Sequence, residues 1–173
     1  MKSSFAPCGS IWISSPSTIG FFGTWNVAWT TDAMDEYSSR LKRLEENLRE
    51  LERFRGTSTD DLKEGRQKRW ALRYGMLESI QAIIDIACAV VSQYNLGYPD
   101  SYADCLRVLR REDVLPDDLT DRLTQAVGMR NVLVHEYLDV DDELLLDALE
   151  RLSDFRAFAE AIRHGTPPSR DNN

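Results

Sequence analysis

The chain has 173 residues, of which 42% are hydrophobic and 29% are charged, and its formal net charge is −8 at pH 7. This length suits one domain with a proper core, and the composition excludes a chain that is disordered or membrane-spanning throughout. The negative charge opposes non-specific attraction to nucleic acid, because such binding depends mainly on neutralisation of phosphates by Lys and Arg.

Residues 1–33 differ in composition from the rest of the chain. They are rich in Ser, Thr, Gly, Pro and aromatic residues, and their only charged residues are Lys2 and Asp32. Repeated Pro, Gly and Ser interrupt the apolar stretches, which is not typical of a secretory signal or a membrane helix. We therefore expect residues 1–33 to be a poorly ordered extension and Met34 to be the natural start.

Helical periodicity begins after Met34. Leucines recur at steps of three and four over residues 41–51, which predicts a first amphipathic helix ending near Arg55. Thr59 or Asp60 can cap a second, long helix, whose apolar stripe continues until Gly97.

Three more helices are predicted in the second half of the chain. A short helix covers about 101–111, and a longer one runs from Pro116 to about Tyr137, since Pro is tolerated in a first helical turn. Asp141 or Asp142 can cap a final helix that carries an apolar stripe.

These elements define the expected fold and its limits. Short loops between long amphipathic helices, with no strand-like alternation, favour an all-α protein: an antiparallel bundle of four or five helices. The bundle is expected over 34–165, followed by a polar tail at 166–173.

The cysteines give an expectation about compartment. Cys8, Cys88 and Cys105 are odd in number and widely spaced, without a Cys-x-x-Cys pair. This pattern predicts a reducing, cytoplasmic environment and no structural metal.

The segment from Arg130 to Tyr137 is the strongest candidate for chemistry. Arg130 offers a planar fork of donors to a phosphate, and His135 can exchange a proton near neutral pH. On a helix these two residues share one broad face with Asn131 and Tyr137, which leaves an apolar face for the core. A histidine on a helix is nonetheless more often structural, so spacing alone leaves catalysis open.

Other charged groups are open to more than one interpretation. Asp85 lies among isoleucines and could orient Arg130, or pair with an arginine within 66–73, or be a half-exposed helix acid. The basic stretch 63–73 could line a phosphate cleft or form a solvated helix face. His164 suits a helix C-terminus, and the acids after Tyr137 suit a loop and N-cap better than a magnesium site.

The sequence Arg-Asn-Val-Leu-Val-His-Glu-Tyr (130–137) resembles the motif of HepT-type ribonuclease toxins in the HEPN superfamily. Three upstream segments are similar to the same family in order and spacing, namely 80–87, 98–109 and 115–131. The resemblance covers about 34–163.

The resemblance implies a function and its partners. It implies the toxin of a type VII-like toxin–antitoxin pair: a metal-independent, cofactor-free endoribonuclease that cuts messenger or transfer RNA in the groove of a homodimer. In this interpretation Arg130 stabilises the phosphorane, His135 moves protons, and Asn131 orients phosphate or ribose. Tyr137 would accept AMP from a cognate minimal nucleotidyltransferase antitoxin, which silences the toxin.

Two alternatives stay open at this point. The chain could be a non-catalytic HEPN-type module that binds a nucleotide or a nucleotidyltransferase partner. It could also be a structural dimerisation bundle. This alternative accounts best for the negative net charge and least well for the motif at 130–137.

Overall fold

The computed structural model describes residues 28–135 and 141–165, with side chains described for 38–134 and 141–165. The regular secondary structure of this part of the chain is all helical, as predicted. Its seven helices are α1 (Ala28–Glu52), α2 (Thr59–Glu64), α3 (Arg66–Gln93), α4 (Tyr102–Arg111), α5 (Asp117–His135), α6 (Asp142–Glu150) and α7 (Leu152–His164). Helix α1 begins ahead of Met34, and residues 1–27 and 166–173 lie outside the described residues.

Helix α3 is the centre of the bundle. Its second half buries a dense set of apolar side chains, including Ile80, Ile83, Ile84 and Ile86. Helix α1 packs antiparallel against α3. Leu51, late in α1, packs beside Gly75, whereas Arg40, earlier in α1, donates to the backbone carbonyl of Asp85 (3.4 Å), later in α3. Helix α7 runs antiparallel to α1, because Arg156 is bonded to Glu52 (2.7 Å) while Arg163, later in α7, pairs with Glu45, earlier in α1. The antiparallel packing agrees with the predicted bundle.

The second predicted helix is interrupted, which the sequence pattern did not anticipate. Ser58, rather than Thr59 or Asp60, caps α2 through a capping box with Asp61. Gly65 then separates α2 from α3, and a Cβ at this position would lie only 2.8 Å from the Asp61 carbonyl oxygen. Because glycine has no side chain, the backbone can approach this closely at Gly65, and the chain can break between α2 and α3.

The final predicted helix is interrupted as well. Asp141 caps α6 as expected, by accepting from the backbone N–H of Glu143 (2.9 Å). Helix α6 ends at Glu150, and α7 begins after Arg151, so both helices can turn their apolar faces to the core. With each interrupted pair counted once, the described residues contain five helical segments.

A disulfide joins Cys88 on α3 to Cys105 on α4. The cysteine spacing did not anticipate this pair, because packing of α3 on α4 brings together residues far apart in sequence. The pairing also removes the cysteine argument for a reducing compartment.

Reduction of this disulfide is expected to lower the free energy of unfolding by about 3 kcal/mol, because cross-links of similar loop length restrict the unfolded chain by about that amount. The two cysteines are 17 residues apart. Urea unfolding with and without reductant measures the difference, and a Cys88→Ala/Cys105→Ala variant should not respond to reductant. Equal stability of oxidised and reduced wild-type protein would contradict the prediction.

Helix α3 is also long and apolar enough to cross a membrane by length and composition, but half of that apolar window (50%) is buried inside the bundle. Core helices of helical bundles share these properties. The composition of α3 therefore does not identify a membrane segment.

Candidate active site

Helix α5 carries the motif, and its apolar side anchors it in the core. Leu133 is buried, while Met129 and Val132 pack against the core from a partly buried position. This agrees with the predicted apolar face. Arg130 is half-buried on the other side of the helix, and Asn131 is exposed beside it.

Arg130 is held by neighbours from three helices. Its Nε donates to Oε1 of Gln81 on α3 (3.2 Å), and one terminal nitrogen donates to Asn131 Oδ1 (3.4 Å). The guanidinium carbon lies 6.0 Å from the ring centroid of Tyr102 at the start of α4. These contacts use only part of the guanidinium's five donors, so donors remain for a phosphate.

Asp85 reaches Arg130 through Gln81. Gln81 Nε2 donates to Asp85 Oδ1 at 2.8 Å, while Gln81 Oε1 accepts from Arg130. An ionised carboxylate only accepts hydrogen bonds, so Asp85 requires the Gln81 amide nitrogen on its side and turns the amide oxygen toward Arg130. The sequence left open whether Asp85 pairs with an arginine or is a half-exposed helix acid; the structure shows a half-buried Asp85 bonded to Gln81, a residue that the sequence analysis missed.

Tyr102 is placed by the cap of α4. Ser101 Oγ accepts from the backbone N–H of Asp104 (3.3 Å) and donates to its carboxylate (2.7 Å). The Ser101 hydroxyl and the guanidinium of Arg107 lower the pKa of Asp104 from its ordinary value. Asp104 therefore stays ionised at neutral pH and holds the first turn of α4 in place.

The other motif residues are only partly described. His135 is the last described residue of α5, and its side chain is outside the described part, as are Tyr137 and the residues around it. Helical backbone from Arg130 to His135 places Arg130, Asn131 and His135 within an arc of about 140° on the α5 surface, at about 100° per residue.

The basic stretch 63–73 has mixed roles. Arg69 Nε lies 2.6 Å from Oδ1 of the buried Asp142 and so ties α3 to the start of α6. Lys63 pairs with Asp60 (3.4 Å), while Arg66 stacks over the Trp70 ring at 4.5 Å from its centroid. Asp142 is thus an ion-pair partner, and no metal-binding cluster of His, Cys, Asp or Glu occurs among the described residues.

A separate groove lies between α5, α6 and α7, with a volume of about 370 Å³. Its apolar lining includes Met129 and Val132, so it opens on the side of α5 away from Arg130. Arg122 at its rim is bonded to Asp118 (2.8 Å) and Asp154 (2.9 Å). These two carboxylates neutralise Arg122, whereas Arg151, which also lines the groove, is bonded to Gln125 Oε1 (2.9 Å).

The fold is similar to that of a HEPN toxin of known structure. The described bundle matches the solved structure of the tri-AMPylated Shewanella oneidensis HEPN toxin in complex with MNT antitoxin, with a TM-score of 0.68 and 22% identity; the match covers 75% of this chain and 97% of that chain. The family described as Ribonuclease HepT-like matches residues 44–162. The chain belongs to this family.

Two named relatives are similar in sequence. The mRNA nuclease HepT of Shewanella oneidensis is 32% identical over 84 residues, which are 48% of this chain and 63% of that protein. The tRNA nuclease HepT of Aphanizomenon flos-aquae is 26% identical over 111 residues, which are 64% of this chain and 76% of that protein. The matched stretch therefore spans less than two thirds of the Shewanella nuclease.

Proposed function

We propose that this protein is a metal-independent endoribonuclease, the toxin of a type VII-like toxin–antitoxin pair, and that Arg130 and His135 carry the reaction. One observation supports this most directly. Among the described side chains, no carboxylate forms an ion pair with Arg130, although the chain is strongly acidic and many of its arginines are paired. The charge of Arg130 is therefore available to an anion.

The reaction needs a base, an acid and a cation. The base removes the ribose 2′-OH proton, the 2′-oxygen attacks phosphorus, and the 5′-oxygen leaves with a proton from the acid. The products are a 2′,3′-cyclic phosphate and a 5′-hydroxyl. His135 exchanges the protons, Arg130 stabilises the charged phosphorane, and Asn131 orients phosphate or ribose.

Gln81 and Asp85 act as positioning residues in this proposal. A guanidinium that must meet a phosphorane benefits from a fixed plane, and the bond to Gln81 restrains Arg130 at Nε while leaving its outer donors for phosphate. Asp85 fixes the orientation of the Gln81 amide. Both side chains are half-buried, as a supporting role requires.

A homodimer completes the proposed site. The described chain offers one motif histidine, whereas the mechanism uses a base and an acid. A twofold dimer in which the two α5 surfaces face one groove would supply His135 and Arg130 from both copies. This assembly is the one that the family resemblance implies.

Cleavage of total RNA in EDTA tests the activity. Total RNA is the appropriate substrate because the named relatives divide between messenger and transfer RNA. The full chain should produce fragments with cyclic phosphate ends, and sequencing of those ends identifies the target class. If folded protein of unmodified mass leaves RNA intact with and without divalent metal, the alternative is favoured: a non-catalytic HEPN-type module that binds a nucleotide or a nucleotidyltransferase.

Tyr137 is the proposed site of silencing by AMP. One structural neighbour is a tri-AMPylated HEPN toxin in complex with MNT antitoxin, which supports a similar pairing here. At about 100° per residue Tyr137 would return to within about 20° of Arg130 if the helix continued, so attached phosphates would compete with RNA for that cation.

Incubation with a cognate nucleotidyltransferase and ATP should therefore add AMP units to the full chain and abolish RNA cleavage. Mass spectrometry of the peptide containing Tyr137 locates the modification, and Tyr137→Phe should remain unmodified and active in the same mixture. Modification at another residue, or full activity of the modified protein, would rule out this role for Tyr137.

A further inference from the structure

One face of α3 carries two exposed aromatic rings in line with the candidate site. At about 100° per residue, Arg66, Trp70, Tyr74 and Gln81 fall within an arc of about 80°, and we call these four residues the α3 stripe. Trp70 is 57% exposed and Tyr74 is 63% exposed. Aromatic side chains of this size are usually at least half buried. Two exposed rings one helical turn apart therefore indicate a binding surface.

The stripe combines aromatic rings with positive charge. The Arg66 guanidinium lies 4.5 Å from the Trp70 ring centroid, and Arg66 is itself exposed. Arg66 is the cation of the stripe, because Lys68 lies on another face of α3 and Arg69 is paired with Asp142. Exposed rings beside cations are the combination by which proteins bind single-stranded nucleic acid, because the bases stack on the rings and the cations neutralise phosphates.

The stripe also leads directly to Arg130. Its last member, Gln81, accepts a hydrogen bond from Arg130. Trp70 precedes Gln81 by eleven residues, which corresponds to about 16 Å along the helix axis. A strand whose phosphate sits at Arg130 would need to extend only a few nucleotides to reach Tyr74 and then Trp70.

We propose that the α3 stripe is an RNA subsite: bases flanking the cleaved bond stack on Trp70 and Tyr74, and a backbone phosphate binds Arg66. The inference rests on the proposed ribonuclease function and adds the path of the substrate. It also gives an acidic protein a local cation for a polyanion, since Arg66 lies beside the rings that the strand follows.

A second copy of the chain is the competing occupant of this surface. A twofold interface centred on the stripe would bring two basic stretches together, which opposes association, whereas RNA phosphates neutralise them. Both the exposed rings and the positive charge therefore favour RNA as the occupant. Only the exposed rings favour a second copy of the chain.

Binding of a 2′-O-methyl oligonucleotide tests the stripe without cleavage, because this probe lacks the nucleophilic hydroxyl. Trp70→Ala and Tyr74→Ala in the full chain should each weaken binding about tenfold, as loss of one base–aromatic stack typically does. Tyr98→Ala is the matched control, since Tyr98 is 95% exposed and lies outside the stripe. Fluorescence anisotropy gives the dissociation constants, and circular dichroism checks the fold.

Salt dependence separates the two kinds of contact. Arg66→Gln should reduce the slope of log affinity against log salt by about 0.7, the contribution of one phosphate contact on a single strand, whereas Trp70→Ala should leave the slope unchanged. Equal binding by wild type and all three stripe variants would overturn the subsite.

Cleavage of two substrates separates this inference from the proposed function. A dinucleotide is too short to reach Trp70, so Trp70→Ala should cleave it at the wild-type rate, while the KM for long RNA rises about tenfold. Normal KM values for both substrates would reject the stripe and leave the ribonuclease intact. Conversion of a dimer to a monomer by Trp70→Ala in sedimentation would assign the surface to a second copy and also overturn the inference.

Discussion

Replacing His135 with alanine is expected to lower the rate of RNA cleavage by about a thousandfold, within the range that a positioned acid or base contributes. The substitution removes the proposed proton-transfer group at the end of α5 and leaves the described buried residues of this helix unchanged. The fold should therefore persist. Initial rates in EDTA measure the effect, and thermal unfolding followed by circular dichroism establishes that the variant is folded.

The chain supplies its own matched control for this experiment. It contains two histidines, and the other one, His164, lies at the end of α7 with a 79% exposed side chain, 3.3 Å from Glu160. His164→Ala should cleave RNA at the wild-type rate. Equal rates for His135→Ala and wild type, or equal loss in both histidine variants, would refute the assignment of His135.

The pH dependence of cleavage tests the dimeric arrangement. If one motif histidine acts as base and its counterpart from the second copy acts as acid, the rate should rise and then fall as pH increases through neutrality. The base must be neutral, which limits the rate at low pH; the acid must be protonated, which limits it at high pH. A rate that only rises with pH would indicate a single titrating group.

The helical architecture could be predicted because apolar periodicity is a local property. The leucines of α1 and the buried apolar residues of α3 recur every three or four positions, so the sequence alone indicates the buried face of each helix. The breaks at Gly65 and Arg151 could not be predicted in this way. The apolar periodicity of the sequence continues through both positions. The interruptions depend on how the two helices on either side of each break pack on the rest of the bundle.

The placement of the motif residues on one helix could be predicted, whereas the contacts around Arg130 could not. Arg130, Asn131 and His135 are close in sequence on one helix, whereas Gln81, Tyr102 and the Cys88–Cys105 pair depend on the packing of α3 against α4 and α5. A signal for Gln81 did exist: it is four residues from Asp85 and therefore shares its helix face.

Replacing Arg130 with alanine is expected to lower cleavage by about 10²- to 10³-fold, because the phosphorane loses its principal electrostatic partner. Arg130→Lys should recover only part of the rate, since lysine restores the charge without the planar fork or the bond to Gln81 at Nε. Arg122→Ala, on the same helix but at the rim of the separate groove, is the control and should remain active. Initial rates in EDTA with a saturating oligonucleotide distinguish these variants.

The positioning contacts should give smaller, graded effects in the same assay. Gln81→Leu removes the acceptor for Arg130 Nε and is expected to lower kcat about tenfold, because a small displacement of a catalytic group is costly to the transition state. Asp85→Asn frees the Gln81 amide to rotate and should have a milder effect on kcat, with little change in KM. If Asp85→Asn leaves both cleavage and stability untouched while Arg130→Ala is inactive, Arg130 acts without this support and Asp85 is an ordinary half-buried helix acid.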